Sequence, residues 1–134
     1  MTAKIFTTGY TGKTLQSLHQ TAEELGAMIV DIRFSPHSRN PSFNLANMRK
    51  VLGDAYIHMP ELGNADYKSN NIRLVNYPAG REKLRALQVP AILLCACKDP
   101  KTCHRTHIAQ LLKNDGFEVE EIQPPPSPQM VLAV

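Results

Sequence analysis

The stretch that decides the fold is Pro90-Ala91-Ile92-Leu93-Leu94-Cys95-Ala96. Its uninterrupted apolar residues are typical of a strand that is buried on both faces of a parallel sheet. Residues 103–115 follow with apolar side chains at helical spacing, and Gly116 is expected to end that helix. A strand, a loop and a helix in this order form the repeating unit of an α/β fold.

The rest of the chain alternates in the same way. Further strands are predicted at 4–8, 28–32, 56–58 and 119–122, and further helices at 15–25, 45–52 and 81–87. Residues 61–80 are predicted to be mostly irregular. We therefore predict an α/β fold: a single three-layer domain with a mainly parallel five-stranded sheet and helices on both faces.

The composition sets limits on the class of protein. The chain has 134 residues, of which 43% are hydrophobic and 20% charged, which excludes a disordered chain, a collagen-like repeat and a coiled coil. Lys and Arg (15) exceed Asp and Glu (12) by three, which permits a polyanionic partner without requiring one. All three cysteines lie within 95–103, which argues against a secreted disulfide framework.

Cellular location and domain limits are further expectations. The chain has no apolar run of about 18 residues and no apolar signal region at its start, so we expect a cytoplasmic protein with reduced thiols and no membrane contact. Residues 1–122 are expected to form the domain. Residues 123–134 form a Pro-rich tail, expected to be extended and to dock on its own domain or on a neighbouring subunit, which would make it a route to oligomerisation.

Three unusual segments follow predicted strands at their carboxyl ends. They are residues 9–11, 33–43 and 95–105. In open parallel sheets, ligands bind at this edge, where the loops gather. We therefore expect these segments to converge on one site.

Cys103 is the candidate nucleophile. It falls at the first turn of a predicted helix, where main-chain N–H groups and the helix dipole stabilise a thiolate. His104 is then a candidate for moving protons, and Arg105 for holding an anion. The same features fit an anion site without covalent chemistry, and capping by Thr102 or Asp99 is the structural alternative.

A metal site in this region is less favoured. Residues 95–107 contain three cysteines and two histidines, but their spacing does not reproduce a paired zinc pattern. We therefore assign no metal, and the cofactor remains unknown. Cys95 is equally well explained as a small buried hydrophobic residue.

Positive side chains also follow the second strand. Residues 32–53 contain no acidic residue, and Arg33 and Arg39 flank His37. Because the forked guanidinium suits phosphate oxygens, Arg33 and Arg39 are predicted to bind an anion together with Tyr10. The alternative is a loop whose arginines are simply solvated.

Three further residues near these strand ends can position groups or transfer protons. Asp31 lies two residues before Arg33, so both point to one face, and Asp31 either orients a basic side chain or forms a buried ion pair. His58 and Glu61 are candidates for proton transfer, although a single histidine in a strand is more often structural. Glu61 also begins a long segment that is predicted to act as a lid.

Several motifs together resemble the bacterial and archaeal proteins called domain of unknown function 488. The resemblance covers about 4–122 and implies an α/β domain whose motif residues gather in one place, without an established activity. This chain departs from the family pattern at three places. Family members commonly have an acidic residue where Cys97 stands and often have histidine where Tyr10 stands. The segment between Gly63 and Gly80 is also shorter here than in the family, which would make any lid smaller. The matching motifs are Thr8-Gly9-Tyr10, Val30-Asp31-Ile32-Arg33 with Ser38-Arg39 and Phe43, His58-Met59-Pro60-Glu61-Leu62-Gly63, Leu94-Cys95 and Cys103-His104-Arg105.

These observations lead to two main functional hypotheses, and a metal-dependent enzyme is a third possibility. The first is a small enzyme that acts on a phosphate-bearing substrate, a nucleotide or a nucleic acid. The second is a non-catalytic module that binds nucleic acid or another anion, although its basic residues lack the interleaved aromatics of single-strand platforms. The candidate catalytic residues are Cys103, His104, His58 and Glu61, and the candidate anion-binding residues are Tyr10, Arg33, Arg39 and Arg105.

Overall fold

The computed structural model describes residues 4–10, 13–34, 41–65, 72–95 and 104–122. Five strands and four α-helices alternate within these ranges. The elements are β1 (Ile5–Gly9), α1 (Leu15–Leu25), β2 (Met28–Asp31), α2 (Leu45–Leu52), β3 (Tyr56–His58), α3 (Tyr77–Ala86), β4 (Ala91–Cys95), α4 (His104–Asn114) and β5 (Val119–Glu121). The three connections from β2 to α3 each contain a short 3₁₀ turn.

The strands form one sheet in the order β3-β2-β4-β1-β5. Every pairing among the described strands is parallel, which confirms the predicted α/β fold. β4 lies at the centre, and all five of its residues are buried. The apolar run at 91–95 therefore has the position that its composition predicted.

The helices cover both faces of the sheet. Leu18 of α1 and Met48 of α2 pack on one face, whereas Leu84 of α3 and Ile108 of α4 pack on the other. The connection after β4 thus leaves toward the opposite face from the connections after its neighbours β1 and β2. Such a divergence opens a crevice at the carboxyl edge of a parallel sheet.

The ends of α1 show how local sequence defines an element. The Thr14 hydroxyl accepts a hydrogen bond from the Ser17 amide at 3.0 Å, and the Thr14 amide donates to the Ser17 hydroxyl at 3.2 Å. Gly26 ends the helix with φ 61°, a left-handed conformation that favours glycine. Both limits agree with the prediction.

The prediction for α3 was wrong at its start, because the helix begins at Tyr77 instead of residue 81. The Asn76 side chain caps it by accepting from the Ala79 amide at 3.2 Å. Pro78 lies in the first turn, where its missing N–H leaves no hydrogen bond unmade. Gly80, which suggested a loop, is buried against Leu62; an added Cβ would lie 2.6 Å from Leu62 Cδ2.

Residues 61–76 also contain more regular structure than predicted. Asn64 and Leu74 form an antiparallel bridge, and the Ala65 amide donates to the Arg73 carbonyl at 2.8 Å. Residues 66–71, the middle of the segment predicted to act as a lid, lie outside the described residues, so the lid stays a prediction. The same is true of the tail at 123–134, so its predicted docking and role in oligomerisation stay predictions. No helix within the described ranges is long and apolar enough to cross a membrane.

Candidate functional site

The carboxyl ends of β1, β2 and β4 lie side by side. The Tyr10 amide donates to the Cys95 carbonyl at 3.0 Å, and the Ile32 amide donates to the Leu94 carbonyl at 3.0 Å. The chain that leaves β1 and the chain that leaves β2 are therefore both bound to β4. The structure brings these strand ends together, as the sequence predicted, whereas Arg39 and Cys103 lie outside the described residues.

Asp31 and Arg33 form a buried ion pair at the end of β2. Arg33 Nε donates to Asp31 Oδ1 at 2.8 Å, and Nη2 donates to Oδ2 at 2.5 Å. Asp31 is 0% and Arg33 5% exposed. The pairing matches the structural alternative for these residues, and it neutralises the charge of Arg33 within the chain.

Two neighbours complete this pair. The Tyr56 hydroxyl donates to Asp31 Oδ2 at 2.6 Å, and Arg33 Nη2 approaches the Met48 sulfur at 3.4 Å. Burial, followed by the hydrogen bond to Asp31, raises the pKa of Tyr56. Burial lowers the pKa of Arg33, but the hydrogen bond and charge of Asp31 outweigh it and raise that pKa overall. Asp31 is thus satisfied on both oxygens.

Tyr10 lies next to this ion pair. Its hydroxyl is 3.5 Å from Arg33 Nη1, and the guanidinium carbon lies 5.1 Å from the Tyr10 ring centroid. The Tyr10 ring is stacked on Phe43, with 4.3 Å between the centroids. Two of the predicted anion-binding residues are therefore neighbours, and Phe43 fixes the plane of one of them.

Arg105, which is buried, forms a second ion pair, with the half-buried Glu121 of β5. Its Nε and Nη2 donate to the two carboxylate oxygens at 3.0 Å each, and Nη1 lies 3.1 Å from Cys95 Sγ. The Thr7 hydroxyl donates to the same carboxylate at 2.6 Å. Cys95 belongs to the core beneath α3 and α4, so this pair lies on the opposite face of the sheet from Asp31.

Lys13 is a further cation near the second pair. Its ammonium donates to the Gly9 carbonyl at 2.8 Å. Burial, and then the positive charge of Arg105, lower the pKa of Lys13, while Glu121 and Cys95 oppose this shift. The end of β1 thus holds a lysine for which sequence patterns gave no signal.

His58 and His104 converge on the main chain that follows β2. His58 Nε2 lies 2.8 Å from the Arg33 carbonyl oxygen, and His104 Nε2 lies 3.2 Å from the Ile32 carbonyl oxygen. Because a carbonyl oxygen only accepts, we assign the hydrogen to Nε2 in both rings. In the neutral form each Nδ1 then keeps a lone pair that can take a proton.

Glu61 is held by α3. One carboxylate oxygen forms an ion pair with Lys83, while the other, Oε1, is buried and has no hydrogen-bond partner among the described residues. The hydrogen bond with Lys83 lowers the pKa of Glu61, and His58 adds a smaller effect in the same direction. The Glu61 carbonyl also accepts from the Asn76 amide at 2.9 Å, which joins this turn to the start of α3.

Sequence reasoning missed Tyr56 and Glu121, which complete the two ion pairs. Glu121 lies opposite Thr7 in the parallel register of β1 and β5. Its only sequence signal is alternation with Val119, which places both on one side of the strand. Tyr56 shares its side of β3 with His58, but a contact with Asp31 follows only from the order of the strands.

Metal ligands do not cluster in the described part of the chain, where no group of three or more His, Cys, Asp or Glu side chains is placed to hold an ion. Cys97 and Cys103 lie outside that part. The described residues do contain two imidazoles held on the main chain after β2 and two guanidinium groups paired with carboxylates.

Fold and site together define a small parallel α/β protein with polar residues at the carboxyl edge of its sheet. The family described as "Domain of unknown function DUF488" matches residues 14–112. The chain belongs to this family, whose function is unknown, and the resemblance inferred from the motifs is confirmed. No curated protein and no solved structure matches it.

Proposed function

We propose that this protein is a small enzyme that acts on a phosphate-bearing substrate, a nucleotide or a nucleic acid, at the carboxyl ends of β1, β2 and β4. The observation that carries the proposal is the pair of imidazoles, His58 and His104, bound to successive carbonyl groups after β2. Each is oriented by its Nε2–H and retains Nδ1 as a base. His104 also adjoins Cys103 in the chain, and we propose that it is the proton acceptor of that thiol.

The proposed reaction is a displacement at phosphorus. An imidazole Nδ1, of His104 or of His58, takes the proton of the Cys103 thiol, and the thiolate forms a bond to phosphorus as the bond to the leaving oxygen breaks. The protonated imidazole then gives that proton to the leaving oxygen. In the second step water attacks phosphorus and loses a proton to the imidazole while the phosphorus–sulfur bond breaks, and the released Cys103 thiolate then recovers that proton.

The arginines of the proposed site have different roles. Arg33 and Arg105 are each paired with a carboxylate, so they contribute N–H donors and a fixed geometry but little net charge. The remaining positive charge for a phosphate would come from Arg39. The Tyr10 hydroxyl, 3.5 Å from Arg33 Nη1, would add a neutral donor.

Thiol reactivity tests the enzyme proposal. Iodoacetamide labelling of the full chain at neutral pH, followed for each cysteine by mass spectrometry, is expected to modify Cys103 faster than a free peptide thiol. His104→Gln should slow that labelling, and inorganic phosphate should protect against it. Cys97→Ser is the matched control and should leave the Cys103 rate unchanged. A Cys103 rate no faster than that of the peptide would exclude an activated nucleophile.

One observation favours the non-catalytic alternative. Arg49 and Lys50 are exposed at the end of α2, within a stretch that contains no acidic residue. A nucleic-acid module should bind DNA or RNA with an affinity that falls steeply with salt. Arg49→Gln and Lys50→Gln should each reduce that slope by about one. Salt-independent binding would eliminate this alternative, and turnover lost in Cys103→Ser would favour the enzyme.

A further inference from the structure

An open groove lies between α1 and β5 and has a volume of about 360 Å³. β5 is an edge strand of the described sheet, and none of its three residues is buried. The apolar lining of the groove consists of Phe6, Leu25 and Ile122, of which only Phe6 is buried. The fold of the described residues therefore leaves apolar surface uncovered at this edge of the sheet.

The charged residues along the groove restrict what can cover it. Glu24 of α1 and Glu120 of β5 both line the groove and are exposed. Lys4 Nζ lies 3.5 Å from the Glu120 carboxylate, whereas the Glu24 carboxylate accepts from the neutral Gln20 side chain at 3.3 Å. A negative charge thus remains at Glu24, and like charges repel. The groove therefore suits an apolar segment without acidic side chains.

Residues 123–134 have this composition. They contain no charged side chain, and their last part, Met130-Val131-Leu132-Ala133-Val134, is apolar throughout. A segment that is rich in β-branched residues and lacks both charge and proline favours aggregation when it is exposed. Docking of this segment in the groove would remove two exposed apolar surfaces at once.

The tail also begins at the groove. The Ile122 amide donates to the Thr7 carbonyl at 2.8 Å, so the chain follows β1 up to the residue before the tail. Phe6 lies opposite Glu120, two residues or about 7 Å back along β5. From Ile122 to Met130 the chain advances by eight residues, which span about 26–29 Å at full extension. The apolar part of the tail therefore has enough chain before it to return to the groove.

We propose that residues 130–134 dock in the groove between α1 and β5 of their own chain. A segment joined by a short linker reaches an effective concentration of about millimolar, so a second copy at micromolar concentration competes poorly for the groove. The docked tail covers Leu25 and Ile122 and extends the core on the α1 face of the sheet. This docking does not depend on the proposed function.

A single tryptophan in the tail gives a direct readout. The chain contains no tryptophan, so Leu132→Trp places one indole in the docking segment. Its emission should lie at a shorter wavelength than that of the same variant unfolded in urea, because a docked indole is shielded from water. Thr21→Arg puts a long side chain into the groove and should shift the emission toward that of the unfolded variant. Gln20→Arg is the matched control, because Gln20 is exposed and does not line the groove, and it should leave the emission unchanged.

Urea unfolding tests the same contact without a bulky probe. Leu132→Asp should raise the unfolding equilibrium constant by about 10- to 150-fold, the factor that corresponds to the burial of one leucine side chain. In the Thr21→Arg background the same substitution should have little effect, because the tail is already displaced. Circular dichroism verifies that each variant is folded before urea is added.

Three results would overturn the proposal. An emission equal to that of the unfolded variant, together with no effect of Leu132→Asp, would mean that the tail does not dock. A shifted emission that does not respond to Thr21→Arg would mean that the tail docks elsewhere on the protein. A shift that develops only as the protein concentration rises, with a dimer in sedimentation velocity, would mean that the groove takes the tail of a second copy.

Discussion

Asp31 is a buried carboxylate with hydrogen-bond partners on both of its oxygens. It is completely buried, and its two oxygens accept from the Arg33 side chain, the Arg33 amide and the Tyr56 hydroxyl. A buried carboxylate without such partners would be strongly unfavourable. Arg33 therefore stabilises the end of β2, whatever contact it also makes with an anion.

Arg33→Met should destabilise the protein by about 3–5 kcal/mol, because it leaves the Asp31 carboxylate buried and unpaired. The double variant Asp31→Asn/Arg33→Met should lose clearly less than the sum of the two single losses, since neither charge then remains. Urea unfolding of the four proteins gives these free energies. Additivity within about 0.5 kcal/mol would show that the pair is not coupled.

Gly63 shows how the packing of one element on another determines which residue can occupy a position. It ends the 3₁₀ turn after β3 with φ −74°, which any residue can adopt. Glycine is instead required because of close packing: a Cβ at this position would lie 2.7 Å from Phe34 Cα. The turn and the segment after β2 are therefore packed backbone to backbone.

Gly63→Ala should destabilise the protein by about 1–3 kcal/mol through overpacking, although its φ is compatible with alanine. In the Phe34→Trp background it should also shift the tryptophan emission, because the main chain at 34 must move. Gly80→Ala is the comparison, since its new Cβ would meet the Leu62 side chain. Gly80→Ala should lower stability but leave the emission unchanged. The same emission in both variants would contradict this packing.

The elements also show what sequence patterns can and cannot predict. β4 and α1 were predicted closely because an apolar run and a capping threonine are local signals. The start of α3 was missed because Pro78 and Gly80 are read as loop formers, and only the contact with Leu62 explains the glycine. Partners such as Arg105 and Glu121 depend on the strand order, which no local pattern contains.

For the molecule as a whole, the pKa shifts limit the pH range of full stability. The ion pair with Lys83 lowers the pKa of Glu61 below its usual 4.5, and the Tyr77 hydroxyl lowers that of Asp115. These two carboxylates therefore contribute their full stabilisation at a pH above their usual pKa values. That stabilisation is lost as the pH falls through their lowered pKa values in the folded protein. Burial raises the pKa of Tyr56 and Tyr77 above 10, so their contribution is complete below pH 10 and declines above it.

We expect the free energy of unfolding, measured in urea from pH 2 to 11, to form a plateau with a decline at each end. Glu61→Gln should flatten the acid decline slightly, since its partner Lys83 is mostly exposed and screened. Tyr56→Phe should flatten the alkaline decline while lowering the plateau, because Asp31 loses a hydrogen bond. Unchanged slopes in both variants would mean that other groups control the limits.

The strand order has a consequence for the way in which this chain reaches its native state. Among the described strands, β1 pairs with β4 and β5, and the first of these begins 86 positions after Ile5, at Ala91. During synthesis from the amino terminus, β1 must therefore wait for both neighbours, while β2 and β3 are already available to each other. Distant pairings of this kind slow folding, because the intervening chain must close first. Until then this strand, Ile-Phe-Thr-Thr-Gly, has unpaired edges, and an exposed unpaired strand is prone to premature association.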